Sequence, residues 1–428
     1  MKSYDIIIIG GGPAGTSAAL FLEKKGYHIA LLDQARFPRD KVCGEFISPA
    51  ADDIFFELGI LGSIEALNPT RLSGVVVSAY ESSYLQVDYP FSSDGRAMTS
   101  LSVERSRLDN LMLSRVRNSK VDLMEGFKVT DLLFWDDNVC GVGGHDEAKT
   151  RFNIKAKVVI DAGGRNSISL RRLNLRQVSS GEGKIALAAH WEGVKVDGRY
   201  CYMHISHPGY TGIAPVGCNR ANVVLVVGRN CLAGVDVENF FRRTVLENQL
   251  RRKILGAGAP VEKVRVVDSL AYSVKKPKCG GLLLVGDAAG FVDPFTGEGI
   301  YLSLRSSQLA VGVIEGAFDS SDFSKRQFQI YDRIRREEFK KKNTLNKVLQ
   351  RLIYTPSLCD RVVETLATQK ELSSLLVGVI GDYIPANRVV CFEYLLRLLG
   401  GMLKLPLPSL RANQGLSNSS VLNERKIS

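Results

Sequence analysis

The chain has 428 residues, 45% hydrophobic and 24% charged, an ordinary globular composition that excludes a collagen-like or wholly disordered polymer. Its formal net charge of +11 suits anions in general, so cofactor phosphates, an acidic substrate and an anionic membrane surface all fit, while no interleaving of basic and aromatic residues marks a nucleic-acid module. The eight cysteines, at 43, 140, 201, 218, 231, 279, 359 and 391, form no C-x-x-C pair, which argues against a zinc site and reads as reduced thiols of a cytoplasmic protein.

Residues 4–15, YDIIIIGGGPAG, begin the first strand almost at once and leave no room for a signal peptide. Residues 6–9 are β-branched and apolar on both faces, as in a central parallel strand covered by helices on each side. Gly10, Gly12 and Gly15 then satisfy G-x-G-x-x-G, in which the first glycine permits the turn, the second admits a pyrophosphate and the third lets the helix pack closely. The spacing predicts a helix over 14–24, ended by Gly26, and a second strand over 29–32 that closes on Asp33. A carboxylate there can accept both hydroxyls of an adenosine ribose. Strand, glycine turn, helix and acid together predict dinucleotide binding.

Next come a loop over 36–45, a short helix over 50–58, and strand-like pieces over 74–80 and 84–89 separated by Ser82-Ser83. A helix follows over 104–118, then strands over 121–125, 128–135 and 139–142. The apolar strand over 156–160 ends in Asp161-Ala162-Gly163-Gly164-Arg165-Asn166-Ser167. Strands near 185–192, 200–205, 212–215 and 221–227 return to an antiparallel pattern, interrupted by a helix at 237–246. The strand over 281–285 runs into Gly286-Asp287, directly before what reads as a helix of small residues. Beyond Gly297 the chain is helical to about 404, with a long charged helix over 322–352 and a Ser/Asn-rich tail after 408 expected to be disordered. No apolar run is long enough to span a bilayer. In the long helix, Glu337 and Glu338 precede Lys341 and Lys342 by four residues, the spacing of a salt-bridged solvent face. The stretch 389–403 places Phe392, Leu395, Leu396 and Leu399 at helical spacing, and packing against the long helix is preferred over a peripheral membrane contact.

The expected fold is α/β, α+β overall: a Rossmann-like unit over 1–72, 103–178 and 276–330, interrupted by an antiparallel sheet domain over 73–102 and 179–275. A helical region over 331–407 and the tail 408–428 complete it.

On the segments 10–15, 37–44, 161–167 and 286–300, the chain resembles the para-hydroxybenzoate hydroxylase-like FAD flavoproteins, and within them the geranylgeranyl reductase-like branch. The resemblance implies FAD held by Gly10, Gly12, Ala14, Gly15 and Asp33, with Arg105 on phosphate or ribityl groups and Val129 at the adenine. It places Asp287 on the ribityl chain, Gly44, Gly299 and Ile300 at the ring, and Pro294 against the ring face. Cys43, in P-x-x-K-x-C-G, would lie beside the flavin and the substrate, as a proton relay or as a packing thiol. Glu45 stands next to Gly44, where many relatives carry a second glycine, and becomes a candidate proton donor; Tyr210 becomes a candidate pocket residue. Lys41 and Arg39 are ligands of FAD phosphate or of an anionic substrate, or else solvated loop charges. In Gly209-Tyr210-Thr211-Gly212-Ile213-Ala214-Pro215, Gly212 replaces the family tryptophan, and neither tryptophan of the chain lies in the W-x-W-x-I-P segment of flavin halogenases, which counts against halogenation.

The resemblance implies an FAD-dependent oxidoreductase that reduces C=C bonds of an isoprenoid or related lipid by hydride transfer from reduced flavin. The alternative is a monooxygenase hydroxylating an aromatic or polyketide-type substrate. With no second glycine fingerprint, NAD(P)H would act transiently, or another carrier such as an electron-donor protein would supply the electrons.

Overall fold

A computed structural model describes residues 2–80, 84–177, 183–268, 270–291 and 293–403. The Ser82-Ser83 break, the boundary at 178–179 and the tail 408–428 lie outside the described residues.

The first strand, Ser3–Ile9, occupies the middle of a seven-stranded sheet, flanked in parallel by Ile29–Asp33 and Arg151–Asp161. Ile6, Ile7 and Ile8 are fully buried, and each such side chain contributes about 1.5–3 kcal/mol of hydrophobic stabilisation. Ile6 and Ile8 pack with the helices Pro13–Glu23 and Arg105–Arg117. Ile7 instead shares a core with Val129, Leu132, Val139 and Val142 of the strands Lys128–Trp135 and Asn138–His145, where the sequence pattern predicts a helix. The parallel part continues through Asp122–Glu125 on one side and Leu282–Leu284 on the other. Arg151–Asp161 is longer than its apolar stretch suggests. Its first half alternates exposed and buried residues and pairs antiparallel with Asn138–His145.

The second large sheet has the order Ala259–Pro260, Lys184–Glu192, Arg220–Gly228, Gly209–Pro215, Tyr200–Ser206, Gly74–Ser78 and Tyr84–Asp88. It is antiparallel except where Tyr200–Ser206 pairs in parallel with Gly74–Ser78, which joins the two separated sequence segments into one layer. A third sheet, absent from the sequence reading because its strands are only two or three residues long, pairs Phe46–Ile47 and Thr70–Leu72 with Ser100–Ser102.

The helices Gly299–Asp319, Lys325–Leu352, Pro356–Thr368, Lys370–Ile380 and Phe392–Met402 form the C-terminal region. Leu349, Val362, Leu366 and Leu372 share one core with Val75, Leu85 and Val87 of the second sheet. The last helix buries Tyr394 and Arg397, the latter 2.8 Å from Glu371. Its apolar stripe of Phe392, Leu395, Leu396 and Leu399 is exposed, contrary to the expected packing against the long helix. No helix among the described residues is long and apolar enough to cross a membrane.

Candidate functional site

A cavity opens between the two large sheets, where the glycine turn, the 36–45 loop, the 286–300 segment and the second sheet converge. The glycines divide by physical cause. A Cβ on Gly10, whose φ is +104°, would lie 2.6 Å from the Ala162 carbonyl oxygen, and one on Gly15 would lie 1.8 Å from that of Gly10. Those two build the turn. At Gly12 the nearest atom would be Arg39 Nη2 at 3.6 Å, and at Gly44 and Gly299 nothing lies within 4 Å. All three of these glycines line the cavity, where the protein's own packing does not require glycine.

Gly12, Pro13 and Ala14 bring the N-terminus of the helix Pro13–Glu23 to the cavity wall, with no side chain capping it. Its first N–H groups and positive dipole end suit a phosphate. Asp33 braces the turn from behind: Oδ2 accepts the Gly11 N–H at 2.6 Å and Oδ1 accepts the Ala35 N–H at 2.8 Å. Carboxylate oxygens retain acceptor capacity for ribose hydroxyls. Val129 is buried among Tyr4, Ile9 and Leu32, with its backbone paired opposite Gly144, so any contact with cofactor would fall to its backbone. Asp161 is fully buried and accepts the Gly163 N–H, the Ser169 N–H and the Ser167 hydroxyl, which makes the 161–167 segment a structural turn, as read from the sequence.

The segment after Gly286 departs from expectation. Gly286–Ala289 forms one 3-10 turn, and the helix Gly299–Asp319 starts only ten residues later. Asp287 therefore caps no helix, and it lines the cavity. Its carbonyl accepts the Tyr272 hydroxyl at 2.6 Å. Ile300 is buried in the first turn of the helix Gly299–Asp319 and also reaches the cavity. Pro294 opens the short turn Pro294–Thr296, and its side chain lies outside what is described.

Three cations gather beside the glycine turn. Arg105 is 6% exposed rather than a solvated surface group, and its Nε and Nη2 donate to Asp109 at 2.9 and 2.8 Å. Burial alone would lower its pKa, but Asp109 and the Cys43 thiol together raise it above the ordinary value. Arg39 lies 3.3 Å from the same carboxylate. Lys41 lines the cavity, and burial and the neighbouring Arg105 push its ammonium below its ordinary pKa. A single carboxylate between guanidinium groups, with a lysine crowded beside them, leaves positive charge for an anionic ligand.

Cys43 lines the cavity, and its thiol accepts the Glu45 N–H at 3.4 Å. Glu45, expected as a candidate proton donor, does not line the cavity and is 4% exposed. Its Oε1 accepts the Arg105 N–H at 2.9 Å, and its Oε2 is 2.8 Å from His190 Nε2. Tyr210 lines the cavity but donates its hydroxyl to Asp293, which also binds Lys184 at 3.0 Å. Burial and Asp293 hold the Tyr210 pKa well above the phenolic value.

The expected surface pairing of Lys342 with Glu338 does not form. Lys342 is 7% exposed and binds Glu298 at 2.9 Å and Asp382 at 2.7 Å, while Glu338 pairs with Arg305. This face of the long helix is inserted beside the 293–300 segment. His190, Lys184, Lys342 and Asn222 come from strands and helices remote in sequence, and no local motif marks them.

An apolar wall completes the site. Val75, Val77, Ala186, Val224, Val226 and Leu270 face the same cavity as the glycines.

An uncapped helix start, a cationic cluster and glycines fronting unfilled space fit a dinucleotide with a flat ring at one end. Residues 3–311 match the family model described as FAD binding domain. The protein is thus an FAD-dependent flavoprotein of the oxidoreductase class. The chain belongs to the FAD binding domain family.

Among its relatives, the 1H-pyrrole-2-carbonyl-(peptidyl-carrier protein) chlorinase of Pseudomonas fluorescens is 28% identical over 77% of this chain and 79% of its own length. A digeranylgeranylglycerophospholipid reductase of Thermoplasma acidophilum is 25% identical over 90% of this chain and 97% of its own. The solved flavin-dependent halogenase CmlS superposes with a TM-score of 0.72 at 25% identity, over 80% of this chain; the chain spans 63% of that structure. Halogenases therefore stand beside reductases, although the missing tryptophan motif counted against them. The relatives assign the cofactor class and not the reaction.

Proposed function

We propose that this protein is an FAD-dependent reductase that saturates C=C bonds of a hydrophobic, isoprenoid-type lipid. The observation that supports it most is the apolar wall continuous with the flavin-side residues, which offers a lipid chain burial and no ionic partner. Bound FAD would supply the two-electron hydride chemistry. In this reading Gly12, Lys41, Arg39 and Arg105 hold the pyrophosphate, Asp33 the ribose, Asp287 the ribityl chain, and Gly44, Gly299 and Ile300 flank the ring.

Cys43 and Glu45 were the candidates for handling the proton, and Tyr210 brings a hydroxyl to the cavity wall. Glu45 does not line the cavity, and the Tyr210 hydroxyl is committed to Asp293. Cys43 remains, a thiol on the cavity wall beside the Arg105 guanidinium. Electrons arrive from NAD(P)H or another carrier, including a donor protein. The relatives favour halogenation as the second reading, and hydroxylation of an aromatic substrate is the third.

Photoreduction of the flavoprotein without oxygen, followed by a polyprenyl lipid, separates them. Flavin reoxidation with a two-mass-unit gain per saturated bond is expected. Turnover that requires oxygen and halide would replace the proposal with halogenation, and turnover that requires oxygen alone with hydroxylation. Cys43→Ser should slow anaerobic saturation by about a hundredfold, the usual scale of a lost general acid. An unchanged rate removes Cys43 from the mechanism.

A further inference from the structure

The loop carrying Cys43 and Gly44 has little support of its own. Among the described residues, no backbone–backbone hydrogen bond reaches residues 38–44. Glu45, just beyond, adopts φ +56°, a left-handed conformation that non-glycine residues take only when their surroundings impose it. The imposition comes from two places. From its own side, Ser102 Oγ and the Val103 N–H donate to the Glu45 carbonyl at 3.1 and 3.2 Å, and the Arg105 N–H donates to Oε1. From the second sheet, His190 Nε2 meets Oε2 at 2.8 Å, and Asn222 Nδ2 donates to the Cys43 carbonyl at 2.7 Å.

His190 and Asn222 are directly opposite each other in the antiparallel pair Lys184–Glu192 and Arg220–Gly228, so they project from one spot on one face of the sheet. Both are buried, at 8% and 3% exposure. His190 is itself oriented by Glu262, whose Oε1 lies 2.8 Å from Nδ1 and whose other oxygen pairs with Arg265. Opposing carboxylates on both ring nitrogens fix the ring plane and leave no competing partner for the His190 side chain.

We infer that His190 and Asn222 are positioning residues, a two-point clamp by which the second sheet holds residues 43–45 in the conformation that keeps Cys43 beside Arg105 and Gly44 open to the cavity. The clamp rests on the reading of this cavity as the flavin site for its consequence, but not for its existence. It ties the cofactor loop to the sheet that forms the apolar wall, so the distance between thiol and wall is set by two hydrogen-bonded points rather than by the loop.

The test uses the full chain with His190→Leu, Asn222→Leu, Glu45→Gly and the double variant of His190 and Glu45, each checked for a cooperative unfolding transition. Two quantities are followed: maleimide labelling of Cys43 in FAD-free protein, read by peptide mass spectrometry, and FAD affinity by flavin fluorescence. Labelling should accelerate, and affinity weaken, by about tenfold in His190→Leu and by a smaller factor in Asn222→Leu, the scale of one charge-assisted or neutral hydrogen bond. In the Glu45→Gly background, His190→Leu should add less than about twofold, because the histidine acts through that carboxylate. Labelling within about twofold of the parent in folded single variants, or full additivity in the double variant, would overturn the clamp. Because labelling needs no cofactor, it still decides the question if the parent protein binds no FAD, an outcome that would sink the functional reading alone.

Discussion

A methyl group on Gly15 would sit 1.8 Å from a backbone oxygen, whereas one on Gly44 would touch nothing within 4 Å. Gly15→Ala should therefore cost the FAD-free protein about 1–3 kcal/mol, the usual price of forced overpacking, in chemical denaturation. Gly44→Ala should leave that stability within about 0.5 kcal/mol and weaken FAD binding in a fluorescence titration. Equal effects at both sites would mean that the space before Gly44 is not kept for a ligand. His190 carries a pH prediction. Burial alone would lower its pKa, but Glu45 and Glu262 raise it above the ordinary value. The folded state then holds the proton more tightly than the unfolded chain. The stability it contributes is complete below about pH 6.5 and is lost as pH rises through the raised value. His190→Gln should flatten that alkaline decline in denaturation midpoints, and an unchanged slope would assign the decline to other groups.

At the scale of elements, the buried group of Lys342, Glu298 and Asp382 joins the long helix Lys325–Leu352 to the 293–300 segment and to the residues after Lys370–Ile380. Asn346 donates to Glu298 from one helical turn further along. Lys342→Met removes the cation that bridges two buried carboxylates and should cost about 3–5 kcal/mol, measured by urea unfolding. A cost below about 1 kcal/mol would show that the carboxylates are solvated. Burial raises the Asp382 pKa to about 6 despite Lys342. A folded-state carboxyl above its unfolded value favours the protonated form, so its contribution to stability declines as pH rises from about 4 to about 6. Glutamate and lysine four residues apart read as a solvent face from sequence. Only the packing of that helix turned Lys342 inward while leaving Glu337 and Lys340 outside.

Across the whole molecule, the cavity takes its walls from the second sheet, from the turns that follow strands of the first, and from the loop between Ile29–Asp33 and Phe46–Ile47. A ligand there can bind only when both sheets are folded and apposed. FAD at about a hundred times its dissociation constant should raise unfolding free energy by about 2.7 kcal/mol in a single shifted transition. Calorimetry showing two transitions, with FAD moving only one, would place the cofactor within one sheet unit alone.

The glycine turn and the acid at the end of the second strand were legible because each belongs to a short contiguous stretch whose chemistry depends on local backbone geometry, whereas the 286–300 segment was marked only by the family resemblance and its split into a 3-10 turn and a later helix was not foreseen. Asp33 could be named from its spacing, and Arg105 from the family resemblance, before any coordinate. The direction of Glu45, the commitment of Tyr210 to Asp293, and the convergence of His190 and Asn222 on the 43–45 loop were not legible. Each depends on strands brought together from distant segments, including the parallel pairing of Tyr200–Ser206 with Gly74–Ser78 that no local pattern encodes. The sequence by itself determined that this chain holds a dinucleotide on a parallel sheet. Tertiary packing alone decided which side chains face the cavity, because a side chain's direction is settled by the burial and hydrogen bonds it finds across the fold.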